Sequence, residues 1–240
     1  PEVKAALGIA AVALTPTELV NAILKAPVDL VYNGGIGTYV KATSESHGEV
    51  GDRANDALRV DGRELRCKVF VEGGNLGCTQ LGRIEYALAG GRINTDAIDN
   101  SAGVDTSDHE VNIKILLGLA VDDGELTEKQ RNTLLASMTG DVATLVLRDN
   151  YFQTQVLSVT GRIAPTLLDA QARFMHFLER NGRLNRAIEF LPSDDEIAVR
   201  RKHGRGLTSP EAAVLLAYCK LWLADELVAS PLPDDPWVAT

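Results

Sequence analysis

Residues 69–110 read VFVEGGNLGCTQLGRIEYALAGGRINTDAIDNSAGVDTSDHE. A short apolar run (Val69, Phe70, Val71) stops in Glu72-Gly73-Gly74-Asn75, and a helical pattern follows. Arg92-Ile93-Asn94 reads as a second strand start and leads into Asn100-Ser101-Ala102-Gly103-Val104. Each apolar run thus gives way to small and amide-bearing residues. In open α/β sheets, ligands bind just beyond the carboxyl ends of strands. Glycine lets a ligand approach the backbone, and asparagine supplies a donor and an acceptor. The same residues are also common in ordinary strand-to-helix turns. Spacing alone leaves both readings open.

Outward from this stretch, the expected fold is α/β, a partial Rossmann-like unit with a mostly parallel short sheet. An all-α region follows, and helix dominates overall. Residues 2–26 read as helical. Thr15-Pro16-Thr17-Glu18 carries the N-cap, first-turn proline and capping-box glutamate of a helix start. Val28–Tyr32 reads as a strand ending in Asn33-Gly34-Gly35-Ile36-Gly37, where a lone Gly-x-Gly is weak evidence of a dinucleotide loop. A short helix is expected near 49–58, a strand over 66–72, a helix over 80–88 and a short third strand from Ile93. Ser107 with Glu110 reads as a capping box opening the next helix. Strand patterns vanish after about residue 121. Thr127–Gln130 caps a helix to Ser137, Gly140 breaks it, and amphipathic helices run over 141–158 and 162–180. Asn181-Gly182 is a stop signal, and Thr208-Ser209-Pro210-Glu211 starts a last long helix. The division expected is 1–120 and 121–240.

Composition excludes several classes. At 45 % hydrophobic and 24 % charged residues the chain reads as globular. The net charge of −9 is spread over both halves, which sets aside no basic face for nucleic acid. Three cysteines without a CxxC pair argue against a disulfide framework or structural zinc, and fit a reducing cytoplasm. No apolar run is long enough to span a membrane. The chain opens on Pro1-Glu2-Val3, so a piece of a longer protein is expected. His47 reads as a solvated loop histidine. His109 and His176 read as structural rather than catalytic, and Asp194–Lys202 as a solvated helix with complementary charge at its ends. Cys78 follows a turn without a histidine to activate it. No complete catalytic set can be assembled, and no metal site is expected.

The strings YNGGIGTYVKA, EGGNLG, QLGRIEYALAGGRINTDAIDNSAGVD and SDHEVNIK resemble the large NAD-specific glutamate dehydrogenases of bacteria. The likeness continues more loosely in LTEKQRN, LRDNY and LTSPEAAVLLAY. The shorter glutamate dehydrogenases carry Glu-Gly-Ala-Asn and Asn-Ala-Gly-Gly-Val-x-x-Ser, which align with Glu72–Asn75 and Asn100–Ser107. The resemblance implies an NAD cofactor near Asn33, Gly34, Gly35, Gly73, Gly74 and Asn75, with Asn75 against the nicotinamide ribose. It implies that Asn100 and Ser107 hold the carboxylates of L-glutamate. Ala102 departs from the family's Gly-Gly pair. The implied parent reaction is oxidative deamination of L-glutamate to 2-oxoglutarate and ammonium, in a cytoplasmic homo-oligomer. The catalytic lysine and aspartate and the phosphate loop are expected upstream of this chain. The rival expectation is a helical oligomerisation or regulatory module.

Overall fold

The computed structural model describes residues 2–9, 11 and 13–238. The region expected to be helical over 2–26 holds two helices, α1 (Glu2–Leu7) and α2 (Pro16–Leu24), the second beginning at the expected start signal. Gly8 follows α1 with φ +65°, and the next helix waits for its cap. That cap is the expected one. The Thr15 side chain accepts from the Glu18 amide, and the Glu18 carboxylate accepts from the Thr15 amide at 2.8 Å. Positions 10 and 12 of the expected helix lie outside the described residues.

Strands β1 (Leu30–Asn33) and β4 (Val69–Glu72) pair in parallel, Leu30 opposite Val69 and Asn33 opposite Glu72. Strands β2 (Val40–Lys41) and β3 (Val60–Asp61) form a second parallel pair. Between β2 and β3 lie α3 (His47–Val50) and a 3-10 turn at Arg53–Asn55, in place of one helix near 49–58. His47 is solvated as expected, with 46 % of its side chain exposed, but it opens α3 rather than lying in a loop, and its Nδ1 lies 2.8 Å from the buried Arg59 guanidinium. The third strand expected from Ile93 does not form. A single bridge joins Arg92 to Val69, and after it the chain turns into helix. The parallel geometry is therefore as expected, but each sheet has two strands, and these do not amount to a doubly wound sheet. Among the described residues 61 % are helical, so helix dominates as expected.

Helix α4 (Gln80–Leu88) has the expected bounds, with Thr79 as N-cap. It closes the first core, where Leu24, Val40, Val60, Phe70, Cys78 and Tyr86 pack together. Next come α5 (Asp96–Asp99) and α6 (Ser101–Asp122), hinged at Asn100. Ser107 therefore caps nothing, because it sits inside α6. Its Oγ donates to the Gly103 carbonyl one turn back at 3.1 Å, the back-bonding habit of helical serines. Glu110 pairs with Lys114 instead of closing a box.

Helix α7 (Glu128–Ser137) starts with the expected Thr127–Gln130 capping box. Met138 separates it from α8 (Thr139–Arg162), so Gly140 lies within a helix and breaks nothing. Helix α9 (Ala164–Arg180) ends at Asn181, and Gly182 takes the left-handed φ of +67° that a helix stop favours. Helices α10 (Asp194–Lys202) and α11 (Ser209–Ala229) complete the chain, apart from a 3-10 turn at Leu232–Asp234.

Leu168, Met175 and Leu178 of α9 meet Ile197 of α10 and Leu215 of α11 in a second core. Helix α10 is less solvated than its charge pattern suggests. Arg200 reaches the buried Glu211 carboxylate with two 2.6 Å bonds. A smaller cluster of Ile98, Leu157, Ala212 and Ala213 joins the two halves. Gln80 Nε2 to the Pro210 carbonyl and Ser209 Oγ to Asn94 Oδ1 add polar links between them.

Candidate functional site

The parallel pairing of β1 and β4 brings the two Gly/Asn-rich strand ends to the same edge. The Asn33 carbonyl accepts from the amides of Gly73 (2.9 Å) and Gly74 (3.2 Å), so one turn is tied to the other. A Cβ on Gly74 would lie 2.6 Å from the Gly35 carbonyl oxygen, a backbone atom that cannot swing aside. Glycine at position 74 thus permits the closest approach of the two turns. The Asn33 amide nitrogen is buried beneath Gly77 with no hydrogen-bond partner among the described residues.

Beneath the second turn lies a buried ionic network. Glu72 is fully buried at the end of β4. Its carboxylate accepts from Arg83 Nε (2.7 Å), Arg83 Nη2 (2.9 Å) and the Cys78 amide (2.9 Å). Burial pushes the Glu72 pKa up, against the pull of Arg83, whose own pKa rises through its contacts with the carboxylates. The bidentate geometry favours the ionised pair, because both Arg83 bonds need a carboxylate acceptor. Asp96 of α5 lies 3.2 Å from the same guanidinium and also accepts the Leu76 amide at 2.8 Å. Asp99 accepts the Glu72 amide at 3.0 Å. Residues 72–78 are therefore held from two sides, by α4 through Arg83 and by α5 through its aspartates. Burial and the adjacent Glu72 charge hold the Cys78 thiol well above its ordinary range, so it stays protonated and is no nucleophile.

What this scaffold presents is Asn75. Its Oδ1 accepts from Asn100 Nδ2 at 2.6 Å. Both residues line a cleft of about 710 Å3 between α6, α8 and α11. Asn75 Nδ2 and Asn100 Oδ1 make no hydrogen bond among the described residues, and Asn100 Nδ2 keeps a second N–H, so the pair has donors on both amide nitrogens and an acceptor on Asn100 for a ligand. Ser107 is not in the cleft and is exposed. It shares a helical face with Asn100 and Gly103, at spacings of three and four residues and about 10 Å along the axis. A Cβ on Gly103 would meet nothing within 4 Å, so this strip of α6 is open.

Several cleft residues escape a reading by motif spacing. Ser101 Oγ donates to the Ile98 carbonyl and bonds Asn150 Oδ1, and it accepts from Gln153 Nε2 at 3.1 Å. Gln153 Oε1 in turn accepts from Lys220 Nζ. Asn150 lies within the string LRDNY, but no periodicity assigns it to a cleft formed with α6. Asp105 and Asp149 line the cleft, and His109 lies beside them. His176 is bound to Asp194 at 2.8 Å, between α9 and α10, and does not line the cleft.

The chain is similar to known proteins over its whole length. The family described as "Bacterial NAD-glutamate dehydrogenase, catalytic domain" matches residues 1–160, and "Glutamate dehydrogenase, C-terminal" matches residues 204–240. The chain is 58 % identical to the NAD-specific glutamate dehydrogenase of Pseudomonas aeruginosa over 238 residues, 99 % of this chain and 15 % of that protein. It is 54 % identical to the enzyme of that name from Halomonas elongata over 99 % of this chain, and 53 % identical to that of Mycobacterium tuberculosis over 97 %. In each case it spans 15 % of the relative's length. With the family's match covering two thirds of its residues, the chain belongs to the bacterial NAD-glutamate dehydrogenase catalytic-domain family.

Proposed function

We propose that this chain is the nicotinamide and substrate side of an NAD-dependent glutamate dehydrogenase, converting L-glutamate to 2-oxoglutarate and ammonium. The observation that carries the reading is the 2.6 Å hydrogen bond between Asn75 and Asn100. It joins the segment read as touching the cofactor to the segment read as touching the substrate. Residues 1–120 are then the second half of a dinucleotide domain, with β1 and β4 belonging to a wider sheet, and 121–240 part of a helical domain. The unpartnered buried amide of Asn33 and the close approach at Gly74 suit a ligand seated on the backbone at these strand ends. Asn33, Gly34, Gly35, Gly73, Gly74 and Asn75 would hold NAD. The bound nicotinamide supplies the hydride acceptor for the substrate Cα.

The residues of this chain contribute position rather than proton transfer. Asn75, braced through the Glu72–Arg83 network, fixes the cofactor side. Asn100, at the start of α6, through its second amide N–H, and Ser107, two turns on, by turning its hydroxyl from the Gly103 carbonyl, grip the two carboxylates. Gly103 between them leaves room for the carbon chain. The Asn75–Asn100 bond couples the two sites. The reading places the protein in the cytoplasm as a homo-oligomer without nucleic acid or membrane. No helix among the described residues is long and apolar enough to cross a membrane.

In the full-length enzyme, Asn75→Ala is expected to weaken NAD binding by about 0.5–1.5 kcal/mol, one neutral hydrogen bond, or roughly two- to tenfold in Kd. Thermal stability should hardly move, since the amide is exposed. Unchanged NAD affinity with a lowered melting temperature would reduce Asn75 to a turn residue. The 240-residue chain by itself is expected to give no glutamate-dependent NADH absorbance, and steady turnover by it would refute the assignment of catalysis to other segments.

One observation favours a second role for the helical part. Val111, Ile115 and Leu119 of α6 form an exposed apolar row, and Tyr151, Val156 and Val159 of α8 are exposed as well. Rows of this kind mark buried contacts in a larger assembly. Light scattering separates the readings, because an oligomer that forms without NAD affinity would favour an assembly module.

A further inference from the structure

We propose that Asp105, His109 and Asp149 form a binding site for one divalent first-row transition-metal ion beside the cleft, clamping α6 to α8. Asp105 and His109 are one turn apart on α6, and Asp149 faces them from α8. Their ligand atoms lie within 4.8 Å of one another. The His109 Nε2 atom is 3.6 Å from Asp105 Oδ1 and 4.0 Å from Asp149 Oδ2.

These separations are too long for hydrogen bonds and near those of ligands sharing an ion. Metal–ligand bonds of about 2.0–2.2 Å in a tetrahedron place neighbouring ligand atoms about 3.3–3.6 Å apart. None of the three atoms makes a hydrogen bond among the described residues, so none must be released to bind. Among the described residues the one competing cation contact, Arg148 Nε at 3.4 Å, falls on the other oxygen of Asp149. Both supporting helices exceed twenty residues, which gives the ligands a rigid frame.

The donor set decides the ion class. One imidazole with two carboxylates suits zinc, cobalt or manganese, whereas magnesium and calcium prefer oxygen alone. Three protein ligands leave at least one position open to water, as in sites that exchange a ligand. All three side chains are partly exposed, so an ion can enter without unfolding. This inference does not depend on the assignment of Asn75, Asn100 and Ser107.

The test is Co2+ titration of the full-length, chelator-stripped protein, read by bound equivalents and visible d–d absorption. His109→Gln and Asp149→Asn should each bind one equivalent less and lose the corresponding bands. Glu110→Gln, which alters a carboxylate paired with Lys114 on the same helix, should behave as the parent. Zn2+ should displace the Co2+ and raise the melting temperature of the parent, and fail to raise it in the two site variants. Equal Co2+ stoichiometry and spectra in the parent, His109→Gln and Asp149→Asn would overturn the proposal. Loss in His109→Gln alone would overturn the bridge between α6 and α8.

Discussion

Glu72→Ala is expected to destabilise the strand-end scaffold by about 3–5 kcal/mol, the usual cost of removing one partner of a buried ion pair. The substitution leaves the Arg83 guanidinium almost wholly buried with Asp96 as its remaining carboxylate, at 3.2 Å. It also strips the Cys78 amide of its acceptor. Native-state hydrogen exchange over residues 67–79 of the full-length enzyme reads the effect locally. Protection there should fall by two to three and a half orders of magnitude. Replacing both partners, Glu72→Met with Arg83→Met, removes the charges together and should recover most of the loss. A residue of about 1 kcal/mol should remain for the unpaired Cys78 amide. If Glu72→Ala leaves exchange within tenfold of the parent, the turn that carries Asn75 is braced by something other than this pair.

The network explains why parts of the site were legible in the sequence and parts were not. Local signals held wherever the chain makes its own contacts. The caps at Thr15, Thr127 and Thr208 form as capping boxes, and Thr79 caps α4 from its side chain. Strands β1 and β4 fall where the apolar runs lie. Two of the failures share one cause. Ser107 and Glu110 satisfy a capping pattern, yet α6 starts six residues earlier, because α5 ends at the Asn100 hinge and Ser101 is tied to Asn150 of α8. The strand expected at Ile93 shrinks to one bridge as Asn94 turns to bind Asp99 and Ser209.

Arg83 is one more charged residue in a helix by pattern, and only its fold neighbours Glu72 and Asp96 show it buried. The same holds for Arg200, which charge periodicity places on a solvated helix and the buried Glu211 draws inward. Interactions between segments far apart in sequence have no period to read. Motif likeness supplied Asn75 and Asn100, which the fold brings together. It did not supply Asn150, Gln153 or Lys220, which line the same cleft.

Because Ser107 lies inside α6, its two proposed roles now separate cleanly. A capping serine would cost about 0.5–2 kcal/mol on replacement by alanine. An exposed helical serine whose hydroxyl bonds the preceding turn should cost within about 0.5 kcal/mol, since alanine is the better helix former. Any large kinetic effect of Ser107→Ala then reports on substrate. Hydrogen bonds to charged groups contribute about 1.5–3 kcal/mol, so the KM for glutamate should rise roughly tenfold to a hundredfold. NAD affinity should stay as in the parent. Ser107→Thr, which keeps the hydroxyl, should recover much of the loss, and Ser107→Val should not.

Asn100→Ala should raise the glutamate KM similarly but also disturb NAD, because Asn100 Nδ2 donates to Asn75. A double-mutant cycle between Asn75 and Asn100 should accordingly show a coupling energy of about 0.5–3 kcal/mol in NAD binding, as residues in contact do. The same cycle between Asn75 and Ser107 should be additive within about 0.5 kcal/mol, since no contact joins them. The measurements are glutamate and NAD kinetics with melting temperatures on the full-length variants. If Ser107→Ala keeps the parent KM while Asn100→Ala raises it, the substrate lies in the cleft beside Asn75 and the α6 strip is not its second grip. If both keep the parent KM, the substrate does not bind on α6.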